Sequence, residues 1–192
     1  RQSAGKLLAG RLKNLKADLV SGIPRGGMVV ASEIAKTLNL PLDIAVTRKI
    51  GAPNQEELAL GAVDPDGEVV GDRKLLKQLE FKIEEAKEEI QRREELYRQG
   101  REPLNVSGKT VILTDDGMAT GSTVLVAVKY LKRHGAKIIL AIPVASGEAL
   151  DKIENEVEKS VVLQIPEDFQ AVGQFYHQFE VVSDEEVIQL LS

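Results

Sequence analysis

The sequence predicts an α/β fold: a doubly wound, mainly parallel sheet of five strands in the order 2-1-3-4-5. Three observations lead there. Strand-like runs alternate with segments of helical spacing from residue 17 to residue 165. Those strands read as continuous apolar runs rather than alternating ones, as strands covered on both faces do. The two junctions richest in glycine and small residues, after Gly22 and after Thr114, fall at the carboxyl ends of strands 1 and 3. In this strand order those ends form the topological switch point, where ligands bind.

The elements follow in order. Ala17–Gly22 (ADLVSG) is strand 1, and it runs into Ile23-Pro24-Arg25-Gly26-Gly27. Met28–Leu38 carries helical spacing and stops before Asn39-Leu40-Pro41. Leu42–Thr47 is strand 2, which ends at Arg48-Lys49. Residues 50–70 are rich in glycine and proline. Short β-like pieces at Leu58–Val63 and Glu68–Val70 flank the turn Asp64-Pro65-Asp66-Gly67, which predicts a small hairpin. Residues 73–99 read as one long, charged, inserted helix. Its stripe of Leu76, Leu79, Ile83, Ala86, Ile90 and Tyr97 packs either on its own domain or against a second subunit in a homo-oligomer. Thr110–Thr114 (TVILT) is strand 3, followed by a loop and a helix that runs to Arg133 and is capped by His134-Gly135. Lys137–Ala145, Gly147–Glu156 and Ser160–Ile165 are strand 4, a helix and strand 5. Residues 166–192 form a small C-terminal hood with Phe169, Phe175, Tyr176 and Phe179, ending in a helix at Asp184–Leu191. Its aromatics either pin this tail to the sheet or stack on a flat ligand. The 192 residues are expected to form a single domain.

Composition narrows the chemistry. The chain has no cysteine and two histidines, so thiolate metal sites, cysteine nucleophiles and His-rich zinc sites are not expected. A net charge of −5 gives no global positive field for nucleic acid. The longest apolar run, Ile138–Ala145, is far short of the ~20 residues of a membrane span. The first residues lack a signal-peptide core, and the expected location is cytoplasmic.

The junction after strand 3 carries the most chemistry. Ala119-Thr120-Gly121-Ser122-Thr123 opens a helix directly behind a strand, so unpaired amides, the positive end of the helix dipole and three hydroxyls converge there. That arrangement suits a phosphate monoester dianion. There is no Gly-x-x-x-x-Gly-Lys, so the loop is not a Walker loop. Just before it, Asp115-Asp116 places two carboxylates side by side, where they hold a metal, accept hydrogen bonds from vicinal hydroxyls, or merely cap the turn. An acid pair that grips a diol, some four residues from a phosphate cradle, fits a ribose 5-phosphate.

Val111 to Thr123 as a whole resembles the 5-phosphoribosyl 1-pyrophosphate (PRPP) motif of type I phosphoribosyltransferases: apolar residues, an acidic pair, two variable residues and a small-Thr-Gly-Ser-Thr loop. The resemblance extends over residues 15–165. It implies a phosphoribosyltransferase in which a nitrogenous base displaces pyrophosphate from PRPP to give a nucleoside 5'-monophosphate. It gives residues 119–123 to the 5-phosphate and makes Asp115 and Asp116 the catalytic pair. Arg25, Gly26 and Gly27 fall on the family's pyrophosphate loop. Arg48 and Lys49 match a pair that adenine-type enzymes place on pyrophosphate ahead of their mobile loop, which makes residues 50–70 the implied mobile hairpin lid that closes over the site. The implied cofactor is Mg²⁺, held by substrate and water with help from Asp115 and Asp116 rather than by a dense protein cage. Ala119 stands where 6-oxopurine enzymes have an Asp, which disfavours hypoxanthine and guanine. The competing reading is a non-catalytic, PRPP-sensing regulatory or binding protein. A sugar-phosphate hydrolase or kinase is a third, for which no base or Walker-type lysine is evident.

Overall fold

The computed structural model describes residues 1–52, 55–71 and 79–192. Its main sheet is built from β1 (Leu19–Gly22), β2 (Leu42–Ile44), β6 (Thr110–Thr114), β7 (Lys137–Val144) and β8 (Lys159–Gln164), all paired in parallel in the order β2-β1-β6-β7-β8. This is the expected order, in which sequence strands 3, 4 and 5 are β6, β7 and β8. The pleat sends alternate side chains to opposite faces. Val20, Ile112, Ile139 and Ala141 pack on one face beneath α1 (Gln2–Leu12) and α2 (Gly26–Leu38). Leu19, Val111, Leu113, Ile138 and Leu140 pack on the other, beneath α4 (Ser122–Arg133) and α5 (Gly147–Glu154). Burial on both faces explains why these strands are apolar throughout.

Helix α1 is an addition to the expected elements. Leu8, Ala9 and Leu12 are fully buried in the same cluster as Val30, Ala31 and Ile34 of α2. Its apolar stripe is narrow and diluted by Gly5, Gly10, Lys6 and Arg11, so its period is faint in the sequence.

Strand 2 is shorter than expected. After Ile44, Ala45 still donates its N–H to Gly22 O, and the chain then leaves the sheet. Arg48 and Lys49 therefore do not end β2. They open β3 (Arg48–Ala52), which pairs antiparallel with β4 (Gln55–Val63), which in turn pairs with β5 (Val69–Gly71). The predicted hairpin is two strands of this small sheet. Its Asp64–Gly67 turn is closed by the buried Asp64 carboxylate, which accepts from Asp66 N and Glu68 N and pairs with Arg133 at the end of α4. Asp66 also meets Arg133 and His134.

Helix α3 (Glu80–Arg98) lies within the predicted long helix, of which residues 73–78, including Leu76, lie outside the described residues. Its stripe docks on its own chain: Ala86, Ile90 and Tyr97 are buried with Ile44, Ile50, Val63 and Val187. Tyr97 donates its hydroxyl to Asp184 at 2.6 Å, and Arg98 pairs with the buried Asp43. The chain ends with α6 (Asp184–Leu191), capped by a reciprocal Ser183–Glu186 box.

Candidate active site

β1 and β6 are neighbours in register, Gly22 opposite Thr114, and Ile23 N donates to Thr114 O at 2.9 Å. The two loops that follow these strands therefore emerge side by side, at the switch point of the sheet.

In the first loop the Pro24–Arg25 peptide is cis, and α2 starts at Gly26. Both glycines are required by contact. A Cβ on Gly26 would lie 2.0 Å from Asp116 Oδ2, and one on Gly27 would lie 2.8 Å from Asp115 Cα. The amides of Gly26 and Gly27 have no partner among the described residues. The structure thus presses the glycine backbone directly against the acid pair.

Asp115 and Asp116 are both half-buried. Asp116 N donates to Asp115 Oδ1 at 2.8 Å, and Arg1 Nε donates to Asp116 Oδ2 at 2.8 Å. Asp115 Oδ2 and Asp116 Oδ1 receive no donor from the described residues. Desolvation, and then the neighbouring Asp116 charge, push the Asp115 carboxyl well above the ordinary carboxylate range; the Asp116 amide and the Lys49 ammonium pull the other way.

The second loop is stitched to the end of β7. Met118 N donates to Val144 O, Ser146 N donates to Met118 O, and the Ser146 hydroxyl donates to Ala119 O at 2.6 Å. Gly121 then adopts φ +76°, left-handed backbone that favours glycine, and α4 begins at Ser122. No side chain caps this helix, and none of the amides of residues 119–124 finds a partner among the described residues. Ala119 and Thr120 are exposed, and Thr120 and Ser122 place their hydroxyl oxygens 3.4 Å apart. Six unpaired amides converge at this helix N-terminus, behind the exposed Ala119 and Thr120, and form an anion seat.

The cations are spread more widely. Lys49 is exposed, and its charge is felt by Asp115. Arg48, next along the strand and so directed to the opposite face, stands 3.7 Å from Glu89 of α3. Arg25 stands 3.7 Å from Asp184. The structure therefore brings Gly26, Gly27, Asp115 and Asp116 into contact, sets residues 119–123 beside them and Lys49 nearby, and turns Arg25 and Arg48 toward acidic partners.

Two side chains outside the sequence assignment reach the acid pair. One is Arg1. The other is Tyr176, whose hydroxyl donates to Asp116 O at 2.6 Å. Sequence reading gave Tyr176 to tail-pinning or stacking, and the tail is indeed seated on this turn, with Val172 where a Cβ on Gly117 would be. Neither contact has a local signal, since each spans 60 residues or more.

Residues 2–180 match the phosphoribosyl transferase domain family. The chain belongs to that family. A Mycobacterium tuberculosis protein named as a phosphoribosyl transferase is 40% identical over 201 residues, covering 100% of this chain and 45% of that protein. This chain thus spans less than half the length of its full-length-matching curated relatives. The crystal structure of a Thermus thermophilus protein superposes with a TM-score of 0.84 at 39% identity, covering 99% of this chain and 95% of that one. A stretch of 62 residues is 45% identical to the ribose-phosphate pyrophosphokinase of a Marinomonas strain, covering 31% of this chain and 20% of that enzyme. Among the described residues of this phosphoribosyltransferase-family chain, no three His, Cys, Asp or Glu side chains group to hold a metal, and no helix is long and apolar enough to cross a membrane.

Proposed function

We propose that this chain transfers the phosphoribosyl group of PRPP to a nitrogenous base, releasing pyrophosphate and forming a nucleoside 5'-monophosphate. The observation that carries the reading is the contact of the Gly26-Gly27 backbone with Asp115-Asp116, next to six unpaired amides at residues 119–124. In this reading those amides and the hydroxyls of Thr120, Ser122 and Thr123 take the 5-phosphate. This remote binding fixes the sugar for reaction. Asp115 and Asp116 accept hydrogen bonds from the ribose hydroxyls and lie where positive charge grows on the sugar. The Gly26 and Gly27 amides, with Lys49, face the leaving pyrophosphate, whereas Arg25 and Arg48, which here stand by Asp184 and Glu89, would have to leave those partners to join them. The C1–O bond breaks with its electron pair going to pyrophosphate, the C1–N bond forms, and the nitrogen gives its proton to solvent or pyrophosphate.

An anion brought beside Gly26 meets two carboxylates, so its charge needs a cation there. The free oxygens of Asp115 and Asp116 are hard donors that fit Mg²⁺ as a minor part of its shell, the rest being substrate oxygens and water. When bound, that ion supplies neutralisation of the leaving group's charge. A cavity of about 1080 Å³ lies between helix α1 and the C-terminal segment; two of its lining residues, Arg1 and Tyr176, bond Asp116, and on that link it is the proposed seat of the base. With Ala119 in place of an acid, a 6-oxopurine is the less favoured occupant.

The test is pyrophosphate release from PRPP and Mg²⁺ across a panel of purines, pyrimidines and small amines. Release that depends on one added nucleophile is the expected result. Saturable PRPP binding without release from any of them would point instead to a sensor.

A further inference from the structure

Arg1 is placed for a purpose that the packing of its own helix does not require. Helix α1 is docked by Leu8, Ala9 and Leu12, all fully buried, and by Gly5, where a Cβ would lie 2.7 Å from Glu33 Cβ. Beyond that anchorage the Arg1 side chain, 11% exposed, reaches the acid pair. Nε donates to Asp116 Oδ2 at 2.8 Å, and Nη1 donates to the carbonyl of Glu180 at 2.7 Å. The face of the guanidinium lies over Phe179, its carbon 4.0 Å from the ring centroid. One side chain thus links the carboxylate, the C-terminal segment and the rim of the cavity beside them.

A carboxylate rotates easily about its last bond, with a broad, roughly two-fold preference. In Asp116 that freedom is removed from two sides. Oδ2 is wedged against Gly26, leaving no room for a Cβ, and is held there by the Arg1 N–H. The other oxygen, Oδ1, is left without a donor among the described residues. The planar guanidinium fork can aim a carboxylate in this way, whereas an ammonium supplies charge without direction.

We infer that Arg1 is a positioning residue for Asp116: it turns Oδ1 toward the sugar diol and ties that orientation to the 176–180 segment that borders the base cavity. The inference rests on the phosphoribosyl-transfer reading. It acts through Asp116, so the deciding experiment is a double-mutant cycle of Arg1→Met and Asp116→Asn. PRPP affinity is measured by calorimetry and kcat by pyrophosphate release, with Tm followed in parallel. Arg1→Met is expected to weaken PRPP binding about tenfold, the scale of one charge-assisted hydrogen bond, and to lower kcat. In the Asp116→Asn background the same change should cost almost nothing. Arg1→Lys, which preserves the charge and folds even if the methionine variant does not, should restore only part of the loss.

Equal losses from Arg1→Met in both backgrounds, or full rescue by lysine, would overturn the positioning role. So would unchanged PRPP affinity and kcat in Arg1→Met. A wild-type protein that binds no PRPP would remove the transfer reading and this inference with it. A wild type that binds normally beside an indifferent Arg1→Met sinks the inference alone.

Discussion

The two strand-to-helix junctions at the switch point use the same physics to opposite effect. Both end a parallel strand, start a helix, contain glycine and leave amides unpaired. The first, at residues 22–27, is pressed against Asp115 and Asp116, so an anion that reaches it meets carboxylates, and in the proposed reading it comes with a cation. The second, at residues 118–124, has Ala119 and Thr120 exposed and no hydrogen bond to a carboxylate among the described residues, so it can hold an anion unaided. A helix N-terminus is therefore only half of an anion site. What stands in front of it decides whether a metal is part of the binding.

The largest expected effect that tests this contrast is steric. Gly26→Ala puts a methyl 2.0 Å from Asp116 Oδ2, so either the carboxylate or the loop must move, and turnover should fall about 100-fold or more. Gly121→Ala meets its nearest atoms at 3.2 Å and mainly strains a left-handed backbone, by about 1–2 kcal/mol. It should weaken PRPP binding about tenfold and spare pyrophosphate binding. Comparable losses from both variants on both ligands would erase the distinction between the junctions. A second expectation concerns simple anions. Calorimetry should find ribose 5-phosphate binding nearly independent of Mg²⁺, while pyrophosphate binding should weaken at least about tenfold when Mg²⁺ is removed. Equal metal dependence would break the comparison.

The smallest effect sharpens the electrostatics. Folding raises the Asp115 carboxyl, so the folded state holds its proton to higher pH than the unfolded chain. Stability therefore falls as pH rises from the ordinary carboxylate value through the raised one. Asp115→Asn should flatten that slope and raise Tm of the unliganded protein near neutral pH, by about 2–4 °C for each kcal/mol relieved. A lower Tm in this variant would mean that the carboxylate stabilises the fold it sits in. The same substitution should abolish pyrophosphate release, which separates the cost of the site from its use.

Much of the site was legible because its parts are local. Thr120-Gly121-Ser122-Thr123 behind an apolar strand announces a helix N-terminus, and Asp115-Asp116 is odd enough beside it to demand a ligand. Sheet order followed from alternating elements and right-handed crossovers, which leave few arrangements. Less of the cationic side could be read. Arg48 and Lys49 look alike in sequence, but on a strand they point to opposite faces, and it is Arg48 that meets Glu89. Which face is which depends on the chain leaving the main sheet after Ala45 and opening β3, and no adjacent residue signals that departure. The stripe of α3 was equally readable as an intrachain or an intersubunit seam, and only the surface made by Ile44, Ile50, Val63 and Val187 chose between them.

By itself the sequence determined what is set by periodicity and by neighbours along the chain: the parallel sheet, the glycine-marked junctions, the acid pair and the phosphate-type loop. Tertiary structure decided which groups meet. It set Gly26 against Asp116, sent Arg48 to α3, and brought Arg1 to the carboxylate of Asp116 and Tyr176 to its backbone carbonyl. The reason is one of range. Backbone preference and hydrophobic period act over a few residues, whereas a contact spanning 115 residues exists only once the helices have packed and closed the distance.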